Sequence, residues 1–152
     1  MTKLKIKFGT LLISCLITYE TQSNDSFPIS MQSCSGWDAT VIEAGKFNSS
    51  SAYMIGKVTK ENIKEYCERD PGGYTIAYGG SLTLTQCIDK FYDTEKDKVY
   101  RSDANCSQNY IKFTSDKLIK EFTFPISPTT DTSCASGMIP LQSQYKYLCL
   151  SK

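Results

Sequence analysis

The chain has 152 residues, with 17 basic and 16 acidic side chains, seven cysteines and no histidine. Without an imidazole, a Ser-His-Asp triad, a Cys-His pair and a histidine-ligated metal site are all excluded. The formal charge is +1 for the full chain and −1 without the first 23 residues, which carry three lysines and one glutamate, and this balance gives no electrostatic reason to expect nucleic acid or an anionic membrane as a partner. Phosphate-binding and dinucleotide-binding glycine motifs are also missing from the sequence, so we expect no cofactor and no metal.

The first 23 residues have the pattern of a secretory signal peptide. A basic segment comes first and contains Lys3, Lys5 and Lys7. The mostly apolar run that follows, Phe8 to Tyr19, is shorter than the roughly 20 residues that a membrane span needs. Small residues at Thr21 and Ser23 predict cleavage after Ser23, which leaves residues 24–152 as a single domain.

Cys15 offers a second interpretation of this leader. The residues Leu12 to Cys15 resemble the lipobox of bacterial lipoproteins, in which the cysteine carries a lipid anchor. The apolar run continues through Leu16 and Ile17 instead of opening a polar tether, so the signal peptide is preferred. Either leader predicts export, and we expect a secreted or periplasmic protein without a membrane span.

Six cysteines follow the leader and predict three disulfides, because an even number of cysteines in an exported domain can pair completely. They lie 15 to 33 positions apart, whereas zinc sites use close ligand pairs. The six are Cys34, Cys67, Cys87, Cys106, Cys134 and Cys149.

Two short helices are predicted on either side of a glycine-rich loop. Thr59 caps the first helix, which runs through Arg69, with Val58 and Ile63 placed as a hydrophobic staple. Asp70, Pro71 and Gly72 follow and end it.

The second helix begins at Thr83, with Gln86 in the capping-box position, and runs to about Tyr92 before a charged turn at 93–97. Helical spacing then predicts two apolar inward faces. These are Ile63, Tyr66 and Cys67 on the first helix, and Leu84, Cys87, Ile88 and Phe91 on the second.

The inward positions of Cys67 and Cys87 on these helices predict a disulfide between them. The C-terminal segment is expected to fold back through Pro140. The other predicted pairs are Cys134 with Cys149 and, by elimination, Cys34 with Cys106.

The rest of the pattern is typical of short antiparallel strands, separated by polar and glycine-containing turns. The predicted strands are 39–44, 52–58, Lys98–Arg101, Tyr110–Thr114, Leu118–Phe124 and Tyr145–Leu150. We therefore expect an α+β domain in which a helical hairpin packs on a small antiparallel sheet.

Acidic side chains are the remaining candidates for catalysis, since two carboxyl groups suffice for glycoside hydrolysis. The densest group is Glu61, Glu65, Glu68 and Asp70. Basic residues are interleaved with it, which favours a solvated helix surface over a catalytic site. A second group, Asp93, Glu95 and Asp97, alternates like the start of a calcium loop. It lacks the glycine and the final acidic residue of such a loop, so a charged turn is preferred.

Residues 72–80 are the best candidate for partner binding. Two glycine pairs bracket Tyr74, Ile76 and Tyr78, and tyrosine rings can bury area while their hydroxyls stay hydrated. The alternative is that these rings cover the core beneath the loop. Trp37 is expected to pack beside the disulfide of Cys34 and not to face a ligand.

Three stretches carry a resemblance to known proteins: Tyr66 to Gly73, Leu84 to Cys87 and Ala104 to Cys106. Together they resemble small uncharacterised exported proteins of alphaproteobacteria related to rhizobia. The richness in Lys, Ile, Ser, Asn and Tyr is similar to that of plant pathogens in the group, whose small exported proteins act as effectors. The resemblance implies a bacterial secreted protein and supplies no catalytic motif.

We therefore predict a non-enzymatic exported protein that binds another macromolecule, as an effector or as an inhibitor of a host or foreign hydrolase. Two alternatives remain open. One is a carboxylate-dependent glycan hydrolase, which needs two carboxyl groups across a cleft. The other is a structural envelope protein, which predicts a large exposed apolar patch.

Overall fold

The computed structural model describes residues 26–28, 36–116, 118–125, 127–129, 131–133 and 136–151. The predicted leader with Cys15, the cleavage site after Ser23, and both Cys34 and Cys134 lie outside the described residues.

Among the described residues, a six-stranded antiparallel sheet forms one layer, and its strands neighbour one another in chain order. Met54, Ser102 and Phe113 stand side by side on three adjacent strands and are completely buried, which defines the inner face. The strands are β1 (Ser26–Pro28), β2 (Asp38–Gly45), β3 (Ala52–Lys57), β4 (Tyr100–Asn105), β5 (Tyr110–Ser115) and β6 (Leu118–Thr123).

The predictions for β2, β3, β5 and β6 are confirmed to within one residue at each end. Strand β4 begins two residues later than predicted and continues to Asn105. Burial alternates along β4, and Ser102 and Ala104 face inward. Strands are enriched in β-branched and aromatic residues, so these small and polar residues did not predict a buried strand. Strand β1 was not predicted.

Helices α1 (Lys60–Arg69) and α2 (Leu84–Glu95) form the predicted pair between β3 and β4. Each begins with a capping box: Thr59 with Asn62 on α1, and Thr83 with Gln86 on α2. These reciprocal bonds satisfy backbone N–H groups that a helix start leaves unpaired. The pair packs together, and α1 also contacts β2.

Helix α2 continues one turn beyond the predicted end, so the charged turn expected at 93–97 is wrong for its first half. Glu95 is buried and accepts hydrogen bonds from Lys98 Nζ at 2.7 Å and from the Tyr100 hydroxyl. Lys96 pairs with Asp93 at 2.9 Å. Both carboxylates thus have partners, Glu95 in the interior and Asp93 at the surface.

The predicted strand Tyr145–Leu150 is also wrong, because it belongs to helix α3 (Met138–Cys149). Met138, Leu141, Tyr145 and Leu148 are buried at helical spacing, and Pro140 lies in the first turn, where its missing N–H removes no intrahelical bond. Helix α3 packs on β1, β3, β4 and β5 and completes the helical layer. The α+β class is therefore confirmed, with a third helix on the sheet.

The disulfide Cys67–Cys87 is confirmed, with an S–S distance of 2.10 Å. The second described disulfide joins Cys106 to Cys149, so the predicted pairs Cys34–Cys106 and Cys134–Cys149 are both wrong. The pair Cys134–Cys149 was predicted from a chain reversal at Pro140, which lies instead in the first turn of α3, and Cys34–Cys106 followed by elimination. As part of a helix, Cys149 lies about 16 Å along the axis from the first residue of α3, next to the turn after β4.

Candidate functional site

The loop 72–80 lies between α1 and α2, above the buried Cys67–Cys87 disulfide that joins the two helices. The disulfide and the packing of the helices fix both ends of the loop. The loop is therefore displayed on a rigid base and not on a mobile tether.

Asp70 holds the first half of the loop from below. This buried carboxylate accepts hydrogen bonds from the backbone N–H of Tyr74 at 2.8 Å, from that of Thr75 at 2.6 Å, and from the Thr75 hydroxyl at 2.7 Å. Burial acts to raise the pKa of Asp70, but the bonds from Thr75 and Tyr74 outweigh it and lower that pKa below its ordinary value. Asp70 is therefore an ionised structural group. The prediction that it belongs to the solvated surface of Glu61, Glu65 and Glu68 is wrong for Asp70, because it is buried.

Backbone hydrogen bonds complete the loop. The Ile76 N–H donates to the carbonyl of Leu82 at 2.9 Å, and the Leu82 N–H donates to that of Tyr74 at 3.0 Å. At Gly80 a Cβ atom would overlap the carbonyl groups of Tyr74 and Gly73, so only glycine fits this close approach. The loop therefore contains a short 3₁₀ turn, Ile76–Tyr78, and its backbone is held by these hydrogen bonds.

The three predicted binding residues occupy different environments. Ile76 and Tyr78 are 63% and 57% exposed, and the Tyr78 hydroxyl donates to the backbone carbonyl of Glu68 at 3.3 Å. Tyr74 is 38% exposed, and its ring packs edge-on against Phe91 with a centroid distance of 5.0 Å. Ile76 and Tyr78 thus face solvent, while Tyr74 partly covers the helix pair.

A pocket of about 330 Å³ opens beside the exposed residues. Leu84 was predicted to face inward, but it is 41% exposed and contributes to the pocket wall. The lining includes Cys67, Glu68, Ile76, Tyr78, Leu82 and Leu84.

Trp37 is half-buried and packs against Tyr66 at 5.1 Å and Phe91 at 5.7 Å between ring centroids. The disulfide predicted beside it involves Cys34, which lies outside the described residues. Together with Tyr74, these rings form an aromatic cluster that supports the loop on its α2 side.

Glu61, Glu65 and Glu68 are exposed, and Lys64 lies 3.1 Å from Glu61 and 4.0 Å from Glu68. This is the solvated helix surface that the sequence predicted. Across the described ranges, no group of three or more acidic or cysteine side chains is arranged to hold a metal ion. Glu68 is the one carboxylate in the pocket lining, so the lining does not supply the carboxylate pair that glycoside hydrolysis requires.

No protein-family model matches this chain, and comparison with curated proteins and with solved structures finds no significant match. Within the part of the chain that the structure describes, no helix has the length and apolar character needed to cross a membrane. The function is therefore inferred from the chain's own residues.

Proposed function

We propose that this protein is an exported, non-enzymatic binding protein that recognises another macromolecule through the loop 72–80. An effector or an inhibitor of a hydrolase is the concrete form of this activity. The observation that carries the proposal is the solvent exposure of Ile76 and Tyr78 on a loop whose backbone is fixed from both sides.

Exposed apolar side chains that cluster around a concave pocket are typical of a binding site for a ligand or a protein partner. Here Ile76, Tyr78 and Leu84 surround one pocket. The fixed loop lowers the conformational entropy that association would otherwise cost, which is the advantage of a rigid inhibitor loop.

Export is supported by the leader pattern and by the two described disulfides, because such bonds persist mainly in oxidising compartments. A secreted or periplasmic location, an origin among alphaproteobacteria and an effector role are parts of the same proposal, and the last two depend on the sequence resemblance.

The test uses the full-length chain, exported by an expression host so that its disulfides form. Partners captured by the wild type are purified, and their affinities are compared for Ile76→Ser, Tyr78→Ser and the control Ile119→Ser. Ile119 is 59% exposed on β6, so the control removes a similar apolar surface elsewhere.

We expect each loop variant to weaken binding at least about tenfold, as for the loss of an interface hot spot, and the control to bind like the wild type. Equal binding by the loop variants and the wild type would remove the loop 72–80 from the proposal. A glycan released from cell-wall material by the purified protein would contradict its non-enzymatic character.

A further inference from the structure

The pocket beside the loop has an inner end that is sealed and a mouth that is open. Cys67 lines it although the residue is almost fully buried, so the disulfide marks the inner end. Ala77 lines the pocket and is itself exposed, which places this small side chain at the mouth. The pocket volume of about 330 Å³ is enough for a large apolar side chain and also lies within the range of small-molecule pockets, so the volume alone does not select the occupant.

Much of the apolar surface at this site lies outside the cavity. Ile76, Tyr78 and Leu84 line the pocket and still expose between 41% and 63% of their surface. A small molecule confined to the cavity would leave these side chains in water. A protein surface with one projecting side chain would fill the cavity and cover its rim together, which is the arrangement of an interface hot spot.

The rim has a defined charge. Glu68 is the charged residue of the lining, and its side chain is 49% exposed. Its basic neighbour, Lys64, lies closer to Glu61 (3.1 Å) than to Glu68 (4.0 Å). Glu68 therefore remains accessible to a cation brought by a partner, and such complementary charges favour one partner over others.

We infer that the pocket is an anchor site for a protein segment in which a large apolar side chain stands next to a lysine or arginine. The apolar side chain enters between Ile76, Leu82 and Leu84, and the basic residue pairs with Glu68. This inference rests on the proposed function and names the chemistry of the partner.

The test is selection of binders from a phage-displayed library of random linear peptides on the full-length, oxidised protein. We expect the selected peptides to share a large apolar residue next to a basic one. Synthetic copies are then titrated against Ala77→Trp, which fills the mouth of the pocket, and against Leu84→Ser, which keeps the test decisive if the tryptophan variant does not fold.

Each of these two variants should weaken binding of the synthetic peptides at least about tenfold, because the anchor contributes most of the binding energy. Glu68→Lys should weaken it by about two- to fivefold, the range expected for an exposed ion pair. The matched control Glu65→Lys changes the charge of the same helix equally, keeps the pair between Glu61 and Lys64, and should leave the affinity unchanged.

Two results would overturn the inference: selected peptides without a basic residue, or equal effects of Glu68→Lys and Glu65→Lys. A library that yields no binder would overturn it as well. In all three cases the variant Ile76→Ser tests the proposed function separately. If that variant no longer binds the captured partner, recognition through the loop 72–80 is supported and only the anchor chemistry is rejected.

Discussion

Removing the Cys67–Cys87 disulfide should destabilise the domain and loosen the loop 72–80 at the same time. The bridge closes a segment of 20 residues. Loop-closure entropy for that length corresponds to about 3 kcal/mol of stability. Both cysteines are buried, so lost packing adds to this value in the double variant Cys67→Ala/Cys87→Ala.

Unfolding in guanidinium chloride can be followed by the fluorescence of Trp37, the single tryptophan, which contacts Tyr66 on α1 and Phe91 on α2. Hydrogen exchange of the amides in 74–82, measured where the domain remains folded, reports on the loop. The double variant should unfold at lower denaturant concentration and exchange faster in this segment.

The control is Cys106→Ala/Cys149→Ala, which removes a bridge across 43 residues and should cost about 4 kcal/mol without changing the loop. Loss of less than about 1 kcal/mol in the Cys67→Ala/Cys87→Ala variant would refute the entropy argument. Loop exchange that is equal in the two double variants would refute the role of this disulfide as the base of the loop.

Three further predictions concern the loop and the cysteines. The lowered pKa of Asp70 means that its contribution to stability is present above its ordinary value of 3.8 and is lost as the pH falls through the lower folded value. Asp70→Asn should therefore lower the melting temperature at pH 7 and make the melting temperature depend less on pH in acid. A melting temperature with the same pH dependence as the wild type would contradict the role of Asp70 as an ionised structural group. Gly80→Ala should abolish partner binding while the far-UV circular dichroism of the domain persists, because a Cβ meets backbone there; wild-type affinity would show that the loop adapts. Mass mapping of an unreduced digest should give a peptide that joins Cys106 to Cys149 and, once the predicted leader with Cys15 is removed, one that joins Cys34 to Cys134 by elimination; any other partner for Cys149 would contradict the fold of α3.

The elements that sequence reasoning placed correctly are those with local physical signals. Thr59 and Thr83 stand where side-chain caps start helices, and the residues 70–72 stop the first of them. The prediction of the Cys67–Cys87 bridge followed from these two helices, since each cysteine lies on an inward face. A partner 20 residues away could be found because both ends belong to one local unit.

The errors arose where two periodicities compete. In α3, Tyr145, Tyr147 and Cys149 alternate as in a strand, while Met138, Leu141, Tyr145 and Leu148 repeat as in a helix. Packing on the sheet selects the helix, because that face buries its apolar residues on four strands. The two wrong disulfides have another origin: Cys134–Cys149 was predicted from a chain reversal at Pro140, which belongs to the helix, and Cys34–Cys106 followed by elimination.

The candidate site was foreseen only in part. Two glycine pairs around Tyr74, Ile76 and Tyr78 marked the loop, but the pattern did not distinguish the ring that packs on Phe91 from the side chains that face solvent. Leu84 was predicted to face inward with Cys87, and only the structure shows that it is 41% exposed in the pocket wall.

By itself, the sequence determined the α+β class, the capped helix pair, four of the strands and the absence of histidine chemistry. These depend on residue type and on spacing within a few turns of chain. The tertiary structure alone decided the burial of Asp70 and Glu95, the helical state of α3, the Cys106–Cys149 bridge and the pocket beside Ile76. Each of these depends on which distant segments meet, because burial and pairing are properties of the packed chain and not of its local pattern.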